Sequence, residues 1–220
     1  MEVGRLLEVL ALPDGARVLD CPCGQGRHAH LLAEAGLDVT GLDYSRPLLA
    51  MARRRGTGRT LRYVEGDMRS LPADWSGRFD AVLNLFTSFG FFEDAADDAR
   101  TIREFARVLA PGGVLAWFGG ARDGVMAKWV GSDRWTTQDG TTVAHARSFD
   151  PLDGRITIRT TWHGRHGAGE RVHRIRLYTA DRLAELCAEA GLEVTGAYDG
   201  WDDRPLKRTS PEMLLLARRP

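Results

Sequence analysis

One stretch, Arg17–His28, constrains the fold more than any other part of the chain. It reads as a short apolar strand that ends in Asp20, followed by a tight turn with Gly24 and Gly26 and by the start of a helix. Open α/β sheets bind ligands at the carboxyl ends of such strands. Glycine leaves no side chain between the backbone and a ligand, and the first N–H groups of a helix attract anionic groups. The stretch therefore predicts an α/β protein with a ligand-binding turn.

Strand and helix patterns alternate along the first half of the chain. Short apolar segments are followed by amphipathic ones that stop at glycine, which predicts a parallel sheet with helices on both faces. Two further strands near the end complete a doubly wound, mostly parallel, seven-stranded α/β sheet. The predicted strands are residues 17–21, 39–43, 61–65, 79–85, 114–118, 192–198 and 213–217.

The pattern changes after Gly120. Three short strands are predicted at Thr142–Phe149, Arg155–His163 and Arg171–Tyr178, separated by good turn sequences. No linker or internal repeat interrupts the chain, so we expect one domain over residues 1–220. The antiparallel strands form a small excursion inserted at about 132–178.

Composition excludes several classes of protein. The 30 basic and 30 acidic residues give zero formal net charge, which argues against nucleic acid as a partner. No apolar run approaches the length of a membrane span, so no membrane partner is expected either. Three cysteines, an odd number, fit a reducing cytoplasm. Cys21 and Cys23 with only the distant Cys187 do not supply a zinc ligand set, so no metal site is predicted. A monomer or a homodimer is expected.

The glycine turn fits two kinds of ligand. The segment from Gly24 to Ala29 matches the loose dinucleotide-binding pattern, and Asp43 ends the second strand where a ribose-binding acid belongs. An NAD-type cofactor is therefore one interpretation. Three features favour S-adenosylmethionine (SAM) instead: Asp20 would repel a pyrophosphate but suits an ammonium group, Asp67 and Met68 follow the third strand where an adenine could lie, and no second substrate domain is present.

Five motifs follow one another along the chain: Val18–Gly26, Thr40–Ser45, Tyr63–Met68, Phe79–Gly90 and Val108–Gly113. With these motifs the sequence resembles the class I SAM-dependent methyltransferases over nearly its whole length. The antiparallel excursion and the segment 176–179 resemble a subgroup of bacterial enzymes that methylate small molecules. The resemblance implies a Rossmann-like fold, SAM as cofactor and a small-molecule substrate. Two features depart from the family pattern: Pro22 replaces the first glycine of the turn, and the segment before the first strand is short.

These motifs also supply the candidate cofactor-binding residues. Asp43 is expected at the ribose hydroxyls, Asp67 at the adenine amine and Met68 on the adenine ring. The full candidate set is Asp20, Cys21, Gly24, Gly26, Asp43, Tyr44, Asp67, Met68, Asn84 and Leu85.

The methyl acceptor has weaker candidates. Arg176 and Tyr178 share one face of the last inserted strand, which we expect to fold over the carboxyl edge of the main sheet and wall the acceptor pocket. Phe89 and Arg27 are further acceptor-pocket candidates. No sequence feature names the acceptor atom, and no catalytic residue is assigned.

The main interpretation is thus a SAM-dependent enzyme that moves a methyl group to a small molecule by in-line displacement. Two alternatives stay open from the residues alone. One is an NAD(P)-dependent reductase, and the other is a catalytically silent SAM-binding module.

Overall fold

The computed structural model describes residues 2–86 and 88–220, so Thr87 within the fourth-strand motif lies outside the described residues. The helices are α1 Glu2–Leu10, α2 Arg27–Glu34, α3 Arg46–Arg55, α4 Ala95–Val108, α5 Arg122–Ala127 and α6 Ala180–Glu189, with a 3-10 turn at Ala73–Trp75. The strands are β1 Arg17–Asp20, β2 Asp38–Asp43, β3 Leu61–Glu65, β4 Phe79–Asn84, β5 Leu109–Gly120, β6 Ser132–Thr136, β7 Thr142–Asp150, β8 Arg155–Gly164, β9 Gly167–Arg176, β10 Glu193–Asp199 and β11 Glu212–Arg218. Among the described helices, none is long and apolar enough to cross a membrane.

The main sheet confirms the predicted seven-stranded α/β architecture. Its strand order is β10-β11-β5-β4-β1-β2-β3. The five strands from β3 to β5 are parallel, and β11 pairs antiparallel with both β5 and β10. Strand order reverses where β1 lies between β2 and β4, and such a reversal opens a crevice at the carboxyl ends of the strands. The glycine turn after β1 therefore stands at the position where this kind of sheet binds its ligand.

Two apolar layers cover the faces of this sheet. Val18 and Leu19 are both fully buried, and they point to opposite layers because successive strand residues alternate between faces. This burial on both faces explains why β1 reads as a continuous apolar run rather than an alternating one.

Between β5 and α6 the chain forms a second, four-stranded antiparallel sheet in the order β6-β7-β8-β9, which we call the inserted sheet. Three of its strands were expected, but β9 begins four residues earlier than predicted and ends at Arg176, so Tyr178 lies just beyond it. The sequence did not predict β6 as a separate strand, because all of its residues are exposed and no apolar alternation marks it. The helix α5 was also missed.

We predict that Phe105→Ala destabilises the protein by about 3–5 kcal/mol, because it empties a fully buried site between α4 and the main sheet. Urea unfolding followed by circular dichroism measures this loss. Leu152→Ala serves as the control, since Leu152 is 97% exposed and should change stability by less than about 0.5 kcal/mol. Equal effects of the two substitutions would contradict the packing described here.

Candidate functional site

Two adjoining cavities lie at the carboxyl ends of the parallel strands. The larger cavity has a volume of about 600 Å³ and reaches from Asp43 past Met68 to Phe92. The smaller cavity, about 250 Å³, lies against the glycine turn and the first turn of α2. Pro22, Asp43 and Ser88 line both cavities, so the two together form one continuous cleft.

Asp43 fixes the shape of the glycine turn. One carboxylate oxygen accepts from the Gly24 N–H and the other from the Ser45 N–H, each at 2.7 Å. Ser45 in turn caps α3 by accepting from the Leu48 N–H. Asp43 is thus bound to two neighbouring backbone segments while it faces both cavities.

The two glycines of the turn serve different needs. Gly24 adopts φ +55°, and a Cβ at this position would meet no atom within 4 Å, so the turn faces open space there. Gly26 adopts φ +74°, and a Cβ there would overlap the Tyr63 hydroxyl. Gly24 therefore leaves room for a ligand, whereas Gly26 lets the start of α2 pack against β3.

Asp20 is 2% exposed at the end of β1 and lines the smaller cavity. Its Oδ2 atom is buried and has no hydrogen-bond partner among the described residues. Burial raises the pKa of Asp20 to about 7, with a further contribution from the charge of Asp43, although the Ala29 N–H acts in the opposite direction. An unpaired buried carboxylate of this kind favours a cationic group in the adjoining cavity.

Asp67 and Arg69 form part of the wall of the larger cavity. The Arg69 guanidinium lies 2.7 Å from Asp67 and 2.7 Å from Asp97, and it covers the ring of Phe92. Hydrogen bonding to this guanidinium lowers the pKa of Asp67, which stays ionised. Met68 is buried beside them and adds an apolar side chain to the charged ones, so this part of the wall suits a flat ring that carries a polar group.

Of the other cofactor candidates, Tyr44 lines the larger cavity and Leu85 the smaller one. Cys21 and Asn84 line neither. The Asn84 amide donates to the Cys21 carbonyl at 2.8 Å, which ties the turn to β4. Cys21 and Asn84 therefore support the glycine turn without lining the cleft.

Three of the acceptor candidates lie elsewhere. Phe89, Arg176 and Tyr178 line neither cavity of the cleft. The Arg176 guanidinium and the Tyr178 hydroxyl both bond to Asp98, at 2.6 and 2.7 Å, and the Phe89 ring packs on Tyr178. No residue of the inserted sheet lines the cleft either, so a role for this sheet at the acceptor stays a prediction. Arg27, the fourth candidate, does line the smaller cavity.

Three residues that the candidate sets leave out line the smaller cavity: His28, Phe86 and Ser88. His28 is 6% exposed, its Nε2 lies 3.0 Å from a Glu2 carboxylate oxygen, and its ring stacks on Phe86. Burial lowers the pKa of His28, so the imidazole is neutral near pH 7. No sequence signal places Glu2 beside His28, because that contact depends on how α1 packs on α2.

Comparison with known proteins agrees with this geometry. A family model described as a methyltransferase domain matches residues 18–113. Cypemycin N-terminal methyltransferase from Streptomyces sp is 32% identical over 94% of this chain and 84% of its own length. A dTDP-3-amino-3,4,6-trideoxy-α-D-glucopyranose N,N-dimethyltransferase from Streptomyces venezuelae is 33% identical over 83% of this chain and 77% of its own length.

Solved structures show the same fold. The SAM-bound amino pentose methyltransferase CalS10 from Micromonospora echinaspora superposes with a TM-score of 0.78 at 28% identity, over 100% of this chain and 90% of that one. The CcbJ methyltransferase from Streptomyces caelestis gives a TM-score of 0.86 at 22% identity, over 99% and 88%. The chain belongs to the SAM-dependent methyltransferases, and the cofactor is SAM. This membership decides against the nicotinamide alternative.

The described residues fit this cofactor. The unpaired Asp20 oxygen suits the ammonium group of the methionine portion, and the space beside Gly24 admits the ligand close to the backbone. The larger cavity, about 600 Å³ in volume and lined by Met68, Phe91 and Phe92, has room for the adenine end.

We predict that SAM binds about fivefold more tightly at pH 7 than at pH 6, because an acid with a pKa of about 7 becomes half ionised over this interval while the ammonium group of the ligand keeps its proton. Titration calorimetry measures the affinity at both values. Asp20→Asn should bind more weakly and lose this pH dependence. A wild-type affinity that stays constant from pH 6 to pH 7 would contradict the role of Asp20.

Proposed function

We propose that this enzyme methylates an amine nitrogen of a small molecule by in-line displacement. Two kinds of support combine. One relative is named as an N,N-dimethyltransferase of an amino sugar, one as an N-terminal methyltransferase, and a similar solved structure as an amino pentose methyltransferase. In addition, the smaller cavity contains a buried, neutral imidazole, His28, next to the residues that fit the methionine portion of the cofactor.

We assign the cofactor contacts by the cavity each residue lines. Asp20 would hold the ammonium group, Asp43 the ribose hydroxyls, and Met68 the adenine ring. Asp67 would accept from the adenine amine while it keeps Arg69 in place. Tyr44 and Leu85 would add contacts in their respective cavities.

When bound, SAM supplies a methyl group on a cationic sulfur, so the chemistry needs alignment more than activation. An amine acceptor attacks through its lone pair and must have lost its extra proton. His28 can take this proton because its ring is neutral, and Glu2 fixes the ring through Nε2 at 3.0 Å. Phe86 adopts φ +64°, a strained conformation for a non-glycine residue, and its ring covers His28 at the smaller cavity.

The test of this proposal is turnover. Purified protein is incubated with SAM and a panel of primary amines, including amino sugars and short peptides, each paired with the analogue that carries a hydroxyl in place of the amine. Mass spectrometry should show S-adenosylhomocysteine together with a product heavier by one methylene, for amines only. Methylation of the hydroxyl analogues alone, or SAM binding without any turnover across the panel, would overturn the proposal.

We predict that His28→Gln lowers kcat about a hundredfold at pH 7 with an amine acceptor, because the proton loses its acceptor. The acidic limb of the wild-type pH profile should lie below the ordinary histidine pKa, and it should disappear in the variant. His30→Gln is the matched control: His30 lies on the same helix, pairs with Glu34 and lines neither cavity. An unchanged kcat in His28→Gln would remove His28 from the mechanism.

A further inference from the structure

One wall of the larger cavity has no regular secondary structure. The segment 88–93, which precedes α4, contributes Ser88, Phe91 and Phe92 to this wall. Backbone outside helices and sheets needs other partners to hold its shape. The partners of this segment come from a distant part of the chain.

Two arginines at the base of the inserted sheet hold the segment by its main chain. Arg155, at the start of β8, donates from its guanidinium to the carbonyl oxygens of Phe92 and Glu93. Arg176, at the end of β9, donates to the same two carbonyls at 3.4 and 3.3 Å, and its backbone N–H donates to the Gly90 carbonyl at 2.8 Å. Both guanidinium groups therefore bond to the main chain of Phe92, which lines the cavity, and to that of its neighbour Glu93.

Asp98 on α4 completes this arrangement from the other side. It is fully buried and accepts from the Tyr178 hydroxyl at 2.7 Å, from Arg176 at 2.6 Å and from the Gly90 N–H at 3.3 Å. We call Asp98, Arg155, Arg176 and Tyr178 the Asp98 cluster. It joins the inserted sheet, α4 and the cavity wall through one carboxylate.

The close approach of the wall to β9 depends on Gly90. This residue adopts φ +90°, and a Cβ there would overlap the Arg176 carbonyl oxygen. Phe89 next to it packs its ring on Tyr178 and Trp117. The wall thus contacts the cluster in two ways: through its backbone at Gly90 and through ring packing at Phe89.

Stability alone does not account for this cluster. Arg155 is 2% exposed, and its carboxylate partners Glu93 and Asp153 lie at 3.4 Å with side chains that are largely or partly in solvent. Burying a guanidinium costs desolvation free energy, and ion pairs with solvent-exposed carboxylates offset only a small part of that cost. The best-attested benefit of buried charged groups is that they hold the chain in one specific arrangement. Here the arrangement that they fix is the wall of the cofactor cavity.

We propose that the Asp98 cluster is a set of positioning residues through which the inserted sheet sets the affinity for SAM. The cluster acts by holding residues 88–93 in the shape that binds the adenine end. The proposal depends on the cofactor and not on the identity of the acceptor. It can therefore fail while the amine proposal stands, and the amine proposal can fail while this one stands.

The experiment compares Asp98→Asn with Asp80→Asn. Asp80 accepts from the Arg17 N–H at 2.8 Å and from the Arg17 guanidinium at 3.1 and 3.3 Å. Like Asp98 it accepts from a backbone N–H and from an arginine, but it lies at the amino ends of the strands, away from the cleft. Titration calorimetry with SAM should show a Kd raised roughly tenfold in Asp98→Asn and unchanged in Asp80→Asn. Amide hydrogen exchange should show faster exchange of residues 88–93 in Asp98→Asn alone.

A milder variant guards against loss of folding. Tyr178→Phe removes only the hydroxyl that donates to Asp98, and it should raise the Kd by a smaller factor with the same exchange pattern. An unchanged Kd in a folded Asp98→Asn protein whose 88–93 amides exchange faster would overturn the proposal. So would an equal rise in Kd for Asp80→Asn, since that would reflect general destabilisation. If Asp98→Asn does not fold, an unchanged Kd in Tyr178→Phe overturns it.

Discussion

The carboxylate of Asp43 is the contact on which the rest of the cleft depends. It accepts from the N–H groups of Gly24 and Ser45, and so it joins the turn after β1 to the start of α3. A charged acceptor between two backbone donors makes a stronger and more directional bond than a neutral one. Asp43 also lines both cavities, so this junction lies where the two cavities adjoin.

Acids at one edge of the sheet are held in different states by their surroundings. Asp20 is buried without a cation, and its pKa rises to about 7. Asp67 lies against Arg69, and its pKa falls. The difference suits a ligand with a cation at one end and a neutral ring at the other, because Asp67 is paired with Arg69 whereas Asp20 makes no ion pair among the described residues.

The inserted sheet contributes to the cleft indirectly. Its strands line neither cavity, yet Arg155 and Arg176 at its base bond to the main chain that does. Arg176 and Tyr178, which were predicted to lie at the acceptor, line neither cavity and bond to Asp98. Alternation along β9 identified which residues share a face, but a face can meet the protein's own backbone as well as a ligand.

Local sequence patterns were enough to predict the α/β class, the seven main strands and the ligand-binding turn, because each depends on apolar runs, glycine positions or an acid at a strand end. They also predicted fewer than half of the residues that line the cleft, since the carboxyl ends of parallel strands meet at one end of the sheet. Other contacts are visible only in the folded chain: His28 meets Glu2, the Asn84 amide holds the Cys21 carbonyl, and Arg176 and Tyr178 bond to Asp98. These contacts join residues far apart in the chain, and their formation depends on how helices and the inserted sheet pack, which no local pattern encodes.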